Sequence, residues 1–487
     1  VYTGRDGNAT RQRERVLAAS EAVSQKAVAT PLSCFIDLKH EGGLIDATAA
    51  ITVRNDTDAS LSSYIFTLNP GLAVREVTGS SGELKYERDE QILSIIPSSS
   101  LAPGAEDSLT IRWRGIINDD ALYTDIADKT LAEKNRIIFF NIGRRYSYIE
   151  PSYVLLTPET MWYPAAGPGF IPSRPLVRRH DFLDFSLDVT TNPGLTAVSQ
   201  GASTSDSPGR FRFRPESRLP AISLTIAEFE RQTTVVDSVE YNIYYGKNHD
   251  YWSDHMSEIG DTLEAMIRDL RQTYENNLNL EYPFPRFSIV EVPVHYSAFH
   301  HAWSVSQETV QPEMVFIPEK GVTLRSADFR RMARRNERRL ERSNEDISEM
   351  ESQAGMFAVF VNATLTGRFG RANWDSEDPF QRSPSYNVFP NMLTFRGGID
   401  SKEMPWLGMA LESWYTGRLE DITMNWSRMR WGMTLDERIN LKLAEMSLRD
   451  LILDPEYRKM SHYALKAKGN FLFRMLESAA SRDDLDA

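Results

Sequence analysis

The sequence predicts an α+β multidomain protein, with an antiparallel β-sandwich domain ahead of an α-rich domain that opens with a small sheet. Three observations carry this. From Ser33 to about residue 231, short runs alternate apolar and polar residues and are broken by Asn, Asp, Gly and Pro, as in strands with one buried face. After Val239 a few strand-like runs surround one helical stretch. From Ser326 onward most of the chain follows the helical period instead. The 487 residues suffice for two to four domains with separate cores.

In chain order, residues 8–26 (NATRQRERVLAASEAVSQK) are polar and helix-prone without a strong apolar stripe, which predicts a leader helix or connector over residues 1–29. The β domain spans residues 30–235. Its strands are CFIDLKHEG, LIDATAAITVRND, SSYIFTLNPGLAVREV, ELKYERD, QILSIIP, DSLTIRWRGII, IIFFNIGRRYSYI, FSLDVTTNPG, LTAVSQG, RFRFRP and AISLTIAEFE. Met161 to Pro175 is a long loop rich in Pro and Gly. The second domain, residues 236–487, opens with the strand YNIYYG. Ser253 then caps a helix whose apolar face is Ile259, Leu263, Met266, Leu270 and Tyr274. RFSIVEVPV and MVFIP are buried strands. Helices follow over residues 329–340, 347–369, 404–418, 435–453 and 462–479.

Composition excludes several classes. Hydrophobic residues at 41% and charged ones at 25% describe a globular chain rather than a disordered one. No apolar run approaches the ~18 residues of a membrane span. A net charge of −13 argues against nucleic acid, whose binding surfaces are basic. The arginines between Arg325 and Arg342 are interleaved with Asp328, Glu337, Glu341 and Glu345, as on a solvated helix. Cys34 is the only cysteine, so no intrachain disulfide forms. The chain starts at Val1 with no visible signal peptide, which suggests a piece of something larger.

The stretch FAVFVNATLTGRFG (357–370) draws attention for what it lacks. Met350, Phe357, Val361, Leu365 and Phe369 recur at helical spacing and predict one buried face, with Asn362, Ala363 and Thr366 on a neighbouring one. Five segments then stand in a telling order: MWYP with DFSLDVTTNPGLTAVSQG, YPFPRFSIVEVPV with Trp303, FVNATLTGRFG, PWLGMALESWYTG, and ALKAKGNFLFRML. Together they resemble the aminopeptidase N family of zinc peptidases, the gluzincins, from Thr30 onward. The resemblance implies a β-sandwich or saddle domain followed by a thermolysin-like mixed sheet plus helical domain, truncated at its C-terminal end.

Carried over position by position, the resemblance implies an empty catalytic set. The two zinc-binding histidines and the general-base glutamate of such a helix are replaced by Asn362, Thr366 and Ala363, which neither hold zinc nor take a proton from water. The third ligand position holds Met409 or, with the match slid by three residues, Glu412; neither holds the metal alone. Ala298, Phe299, His300, His301 and Ala302 stand where Gly-Ala-Met-Glu-Asn grips a substrate amino terminus, and Lys466 stands at the oxyanion-stabilising tyrosine. The expectation is no catalytic residue and no metal ligand.

A displaced site was also weighed. His295, His300 and His301 lie close together with Glu291 and Glu308 flanking them. Strand alternation separates His300 from the other two, so a joint metal site needs a bend near Ser297, and hydrogen-bonding histidines are commoner than ligands. No Gly-x-Ser-x-Gly elbow points to a serine hydrolase.

The resemblance therefore implies a catalytically inactive, extracytoplasmic peptidase-like domain. It is similar to those fused to ABC transporter permeases of Bacteroidetes-type bacteria, on the periplasmic face, with the membrane reached through segments outside this sequence. Such a domain serves as a scaffold or binds a peptide or protein segment in the old cleft. His300, His301, Trp303, Asn362, Thr366, Met409, Glu412 and Lys466 are the candidate cleft residues, with a strand edge near Phe299 to Trp303 receiving the peptide. The alternative is an active zinc aminopeptidase with a rearranged metal site. No cofactor is expected except zinc under that alternative.

Overall fold

The computed structural model describes residues 3–132, 135–137, 140–175, 181–250, 252–278, 281–299, 301, 308–319, 348–365 and 475–480, with isolated positions 333, 334, 337, 338 and 473. Alternation of apolar residues builds its largest layer. In the strand Thr30–Glu41, Cys34, Ile36 and Leu38 point inward and are buried, while their neighbours face out. Burying a side chain of that size contributes about 1.5–3 kcal/mol, so a slip of one residue is strongly disfavoured. The Cys34 thiol is held protonated, its pKa pushed up to about 12 by burial.

That strand lies inside an eight-stranded sheet. From one edge the order is Ala202–Ser207, Arg210–Arg214, Asp184–Thr190, Thr30–Glu41, Leu44–Arg54, Glu106–Gly115, Leu72–Gly79 and Gly82–Glu83. Its pairings are antiparallel except one: Thr30–Glu41 runs parallel to Asp184–Thr190, with Ser33 opposite Asp184. Local pattern carries no signal of this long-range pair. The edge strand Ala202–Ser207 is exposed throughout and has no alternation to read. Two four-stranded sheets pack on the large one. The first holds Tyr148–Glu150, Tyr153–Leu156, Leu224–Ala227 and Thr196–Val198, and the second Ala165–Ala166, Tyr64–Thr67, Ile92–Ile96 and Lys85–Asp89. Residues of all three, with Trp113 and Trp162 wholly buried, share one core.

The expected connector is a docked helix, Thr3–Ala22. Its attachment is largely polar, which explains the weak apolar stripe. Ala19 and Val23 pack on Ile65 and Ile92. Buried Arg13 donates to the carbonyls of Leu122, Tyr123 and Ile126 at 2.8, 3.0 and 2.6 Å. Gln91 donates to Val16 O and Ser20 Oγ, both at 2.8 Å.

A separate five-stranded sheet follows, ordered Phe229–Val236, Val239–Gly246, Arg286–Val292, Met314–Pro318 and Val310–Gln311. Its inner pairs are parallel and its outer pairs antiparallel, the mixed sheet expected of the second domain. The α-helix Leu263–Leu278 lies between its second and third strands in sequence. Ser253 does not cap it. The Asp250 carboxylate accepts from Ser253 Oγ at 2.6 Å and from Ser253 N at 3.1 Å, closing a 3-10 turn at Ser253–His255 instead. A further 3-10 segment, Ser257–Thr262, precedes the α-helix.

The helix Glu349–Leu365 opens with a capping box: Glu351 N donates to Ser348 Oγ at 3.2 Å, and Ser348 N to Glu351 Oε2 at 2.9 Å. One residue of its expected buried face needs correction. Met350 sits in this first turn and is 45% exposed, whereas Gln353 and Met356 are buried. Gln353 Oε1 accepts from Glu258 N at 2.9 Å and so ties the helix to the 3-10 segment.

One glycine is required at the seam between the sheets. Gly201 has φ +93°, and a Cβ there would meet Pro215 N at 2.2 Å. Gly201→Ala is expected to cost about 1–3 kcal/mol, measured as a lowered urea midpoint with unchanged slope. An unshifted midpoint would contradict the close approach.

Candidate functional site

Three carboxylates, from Asp125, Glu159 and Glu308, gather around His301. Asp125 follows the 3-10 turn Asp119–Ala121, which Asn118 caps by accepting from Asp120 N at 3.0 Å. The Arg13 hydrogen bonds hold that loop from the other side. Glu159 lies in the 3-10 turn Pro158–Thr160, started by a proline whose fixed φ suits the first helical position. His301 comes after a turn closed by Tyr296 N donating to Pro293 O at 2.9 Å. Glu308 stands just before the strand Val310–Gln311.

His301 is 3% exposed. Its Nδ1 lies 2.9 and 3.0 Å from the two Asp125 oxygens, and its Nε2 3.2 Å from Glu159 Oε2. Burial opposes a charge on the ring, but the negative charges of Asp125 and Glu159 and their hydrogen bonds outweigh it, and the pKa is pushed up to about 10. Tyr123 stacks on the imidazole with centroids 5.4 Å apart. The carboxylates are held in turn. Tyr123 N donates to Glu159 Oε1 at 2.7 Å, and Gln311 Nε2 to Glu308 Oε2 at 2.9 Å. One ligand atom each from Glu159, His301 and Glu308 lies within 4.8 Å of the others. The cluster borders a cavity of about 710 Å³, walled also by Ser20 and Val16 of the N-terminal helix and by Gly167.

The sequence singled out His301 and named Glu308, but missed Asp125 and Glu159. Asp125 is 176 residues from His301, in a loop with no pattern of its own. Glu159 left one trace, as the lone carboxylate in the apolar stretch YVLLTPETMWY. His295 does not join the cluster; its carbonyl accepts from Arg145 N at 3.0 Å. Glu291 instead accepts from His249 Nδ1 at 2.9 Å and Gly246 N at 2.6 Å. Of the strand edge expected near Phe299 to Trp303, Phe299 and His301 lie outside any strand, and the other residues lie outside the described ones. Phe299 is buried edge-on against Tyr123 at 5.0 Å, with the Arg144 guanidinium 5.0 Å over its ring.

His300, Trp303, Thr366, Met409, Glu412 and Lys466 lie outside the described residues. Asn362 and Ala363 stand near the end of the helix Glu349–Leu365. Beyond Glu351 that helix contains no histidine, carboxylate or thiol. Its donor set does not fit zinc. Among the described residues, no helix is long and apolar enough to cross a membrane.

No protein-family model matches the chain, and no curated protein sequence matches it. Solved structures do. An M1 zinc metallopeptidase from Deinococcus radiodurans is similar with a TM-score of 0.51 at 12% identity, over 95% of this chain and 85% of that one. A two-domain M1 zinc metallopeptidase mutant bound to L-tryptophan gives a TM-score of 0.52 at 12% identity, with the same coverage. A mutant of the Deinococcus enzyme bound to a Tyr-Ser-Ala substrate gives 0.50 at 12% identity, over 92% and 83%. At such identity the likeness establishes architecture alone: the chain has the α+β, multidomain fold of an M1 zinc metallopeptidase.

Proposed function

We propose that this chain is a peptidase-like domain that binds without hydrolysing, an extracytoplasmic part of an ABC transporter permease. Its ligand is a peptide or protein segment in the cavity beside His301. One observation carries the loss of hydrolysis: the helix Glu349–Leu365, in a fold similar to zinc peptidases over 95% of the chain, has no metal donor after Glu351. Without a metal there is neither an activated water nor a Lewis acid at that helix. The cavity, at about 710 Å³, has the size of ordinary ligand sites of about 300–1,000 Å³. The divisions at residues 29/30 and 235/236 belong to this proposal, with the strand Phe229–Val236 crossing from the first domain into the sheet of the second.

The test is turnover of amino-acid anilides by the full chain, with and without added zinc. No activity above a contaminant control is expected, because base, metal ligands and oxyanion donor act as a unit and their joint replacement leaves nothing to restore. A second reading, an active zinc aminopeptidase with a rearranged site, draws on the Glu159, His301 and Glu308 cluster. Turnover that co-purifies with the protein and disappears in Glu308→Gln would establish it.

A further inference from the structure

We infer that Glu159, His301 and Glu308 form a binding site for a first-row divalent cation of the zinc class, with Asp125 orienting the imidazole and one coordination position open to the cavity. The donor set is one imidazole nitrogen and two carboxylate oxygens, which suits zinc and its neighbours. Ligand bonds of about 2.0–2.2 Å put ligand atoms about 3–4 Å apart. His301 Nε2 and Glu159 Oε2 already stand at 3.2 Å. All three atoms lie within 4.8 Å of one another, so small side-chain shifts close the set.

The surroundings distinguish this group from an accidental gathering of acids. Metal-binding histidines characteristically donate their other ring nitrogen to a carboxylate, and ligating carboxylates are themselves hydrogen-bonded. Each ligand here has such a partner: Asp125 at 2.9 Å from His301 Nδ1, Tyr123 N at 2.7 Å from Glu159 Oε1, and Gln311 Nε2 at 2.9 Å from Glu308 Oε2. The remaining oxygen of Glu159 and the distal nitrogen of His301 face each other at 3.2 Å. Binding through Nε2 releases the ring proton, and a divalent ion then offsets the formal −3 of three carboxylates around a neutral imidazole. With three protein ligands, an open position takes water or a carboxylate oxygen of a bound molecule.

None of the site's three ligands comes from the helix Glu349–Leu365, and the site goes beyond the binding reading above. Cation affinity and peptide turnover are separate readouts, so either can fail alone. The full chain, stripped with a chelator, is titrated calorimetrically with zinc chloride, and cobalt(II) is added in parallel to read its visible absorption. One ion per chain is expected, with tetrahedral-type cobalt bands. Asp125→Asn weakens affinity about 10–100-fold by freeing the imidazole, and Glu308→Gln by more than about tenfold. Glu308 is only partly buried, and an unchanged melting profile of Glu308→Gln in chelator shows that the loss is not misfolding. His249→Ala, which removes the His249 and Glu291 pair, leaves stoichiometry and affinity unchanged. Failure to bind tighter than about millimolar overturns the inference. So does binding that Glu308→Gln and Asp125→Asn leave intact, or that His249→Ala abolishes.

Discussion

Replacing His301 with alanine in chelator-containing buffer is expected to cost about 3–5 kcal/mol of folding stability, the range for breaking a buried ion pair by removing one partner. The imidazole is 3% exposed and lies between Asp125 and Glu159, so removing it leaves carboxylates facing each other across a void. Solvent screening offers little relief, because the Asp125 side chain is 2% exposed. The loss has a defined pH window. A folded pKa of about 10 lies above the usual 6.5, so the stabilisation from the imidazolium is fully present below pH 6.5. It shrinks as pH rises and is gone once pH passes about 10. Urea midpoints of the wild type and His301→Ala, measured from pH 6 to pH 10, should therefore converge as pH rises. Parallel curves would mean that the ring is neutral and held by packing alone. His301→Gln, which keeps one donor, should recover part of the loss.

How much of this was legible in the sequence depends on the range of the interaction. Alternation at Cys34, Ile36 and Leu38 reports burial directly, because each residue's own chemistry decides its face. Thr30–Glu41 beside Asp184–Thr190 is a different matter: nothing local in either strand specifies a parallel partner. The site shows the same division. Histidines crowded before Trp303 marked one wall, and Glu308 was visible beside them. Asp125 and Glu159 gain their meaning only when two 3-10 turns of the β domain carry them to His301. At the N-terminus the helix itself was legible but its docking was not, because Arg13 and Gln91 bind backbone carbonyls, and hydropathy does not register that kind of contact.

Arg286→Met is expected to cost a comparable 3–5 kcal/mol, through the carboxylate that it strands. Glu313 has a side chain 1% exposed in a residue at φ +61°, and its Oε2 accepts from Gly201 N at 2.8 Å and from Arg286 Nη1 at 3.1 Å. Arg286 also reaches Glu216 at 2.7 Å, so one guanidinium joins a loop of the β domain to the turn before the strand Met314–Pro318. The seam has further polar ties, with Gln200 Nε2 donating to Pro312 O at 3.1 Å. Burial already raises the Glu313 carboxyl above its ordinary value, against the lowering effect of Arg286. Without the guanidinium that rise grows. A carboxyl whose folded pKa is raised destabilises the fold when ionised, so the penalty should ease as pH falls through that pKa. Methionine is close in length to the arginine stem, which keeps much of the packing and isolates the charge. Adding Glu313→Gln to Arg286→Met should therefore restore most of the midpoint, because the neutral amide keeps an acceptor for Gly201 N. Equal stability of the single and double variants would show that the ion pair contributes nothing beyond its packing.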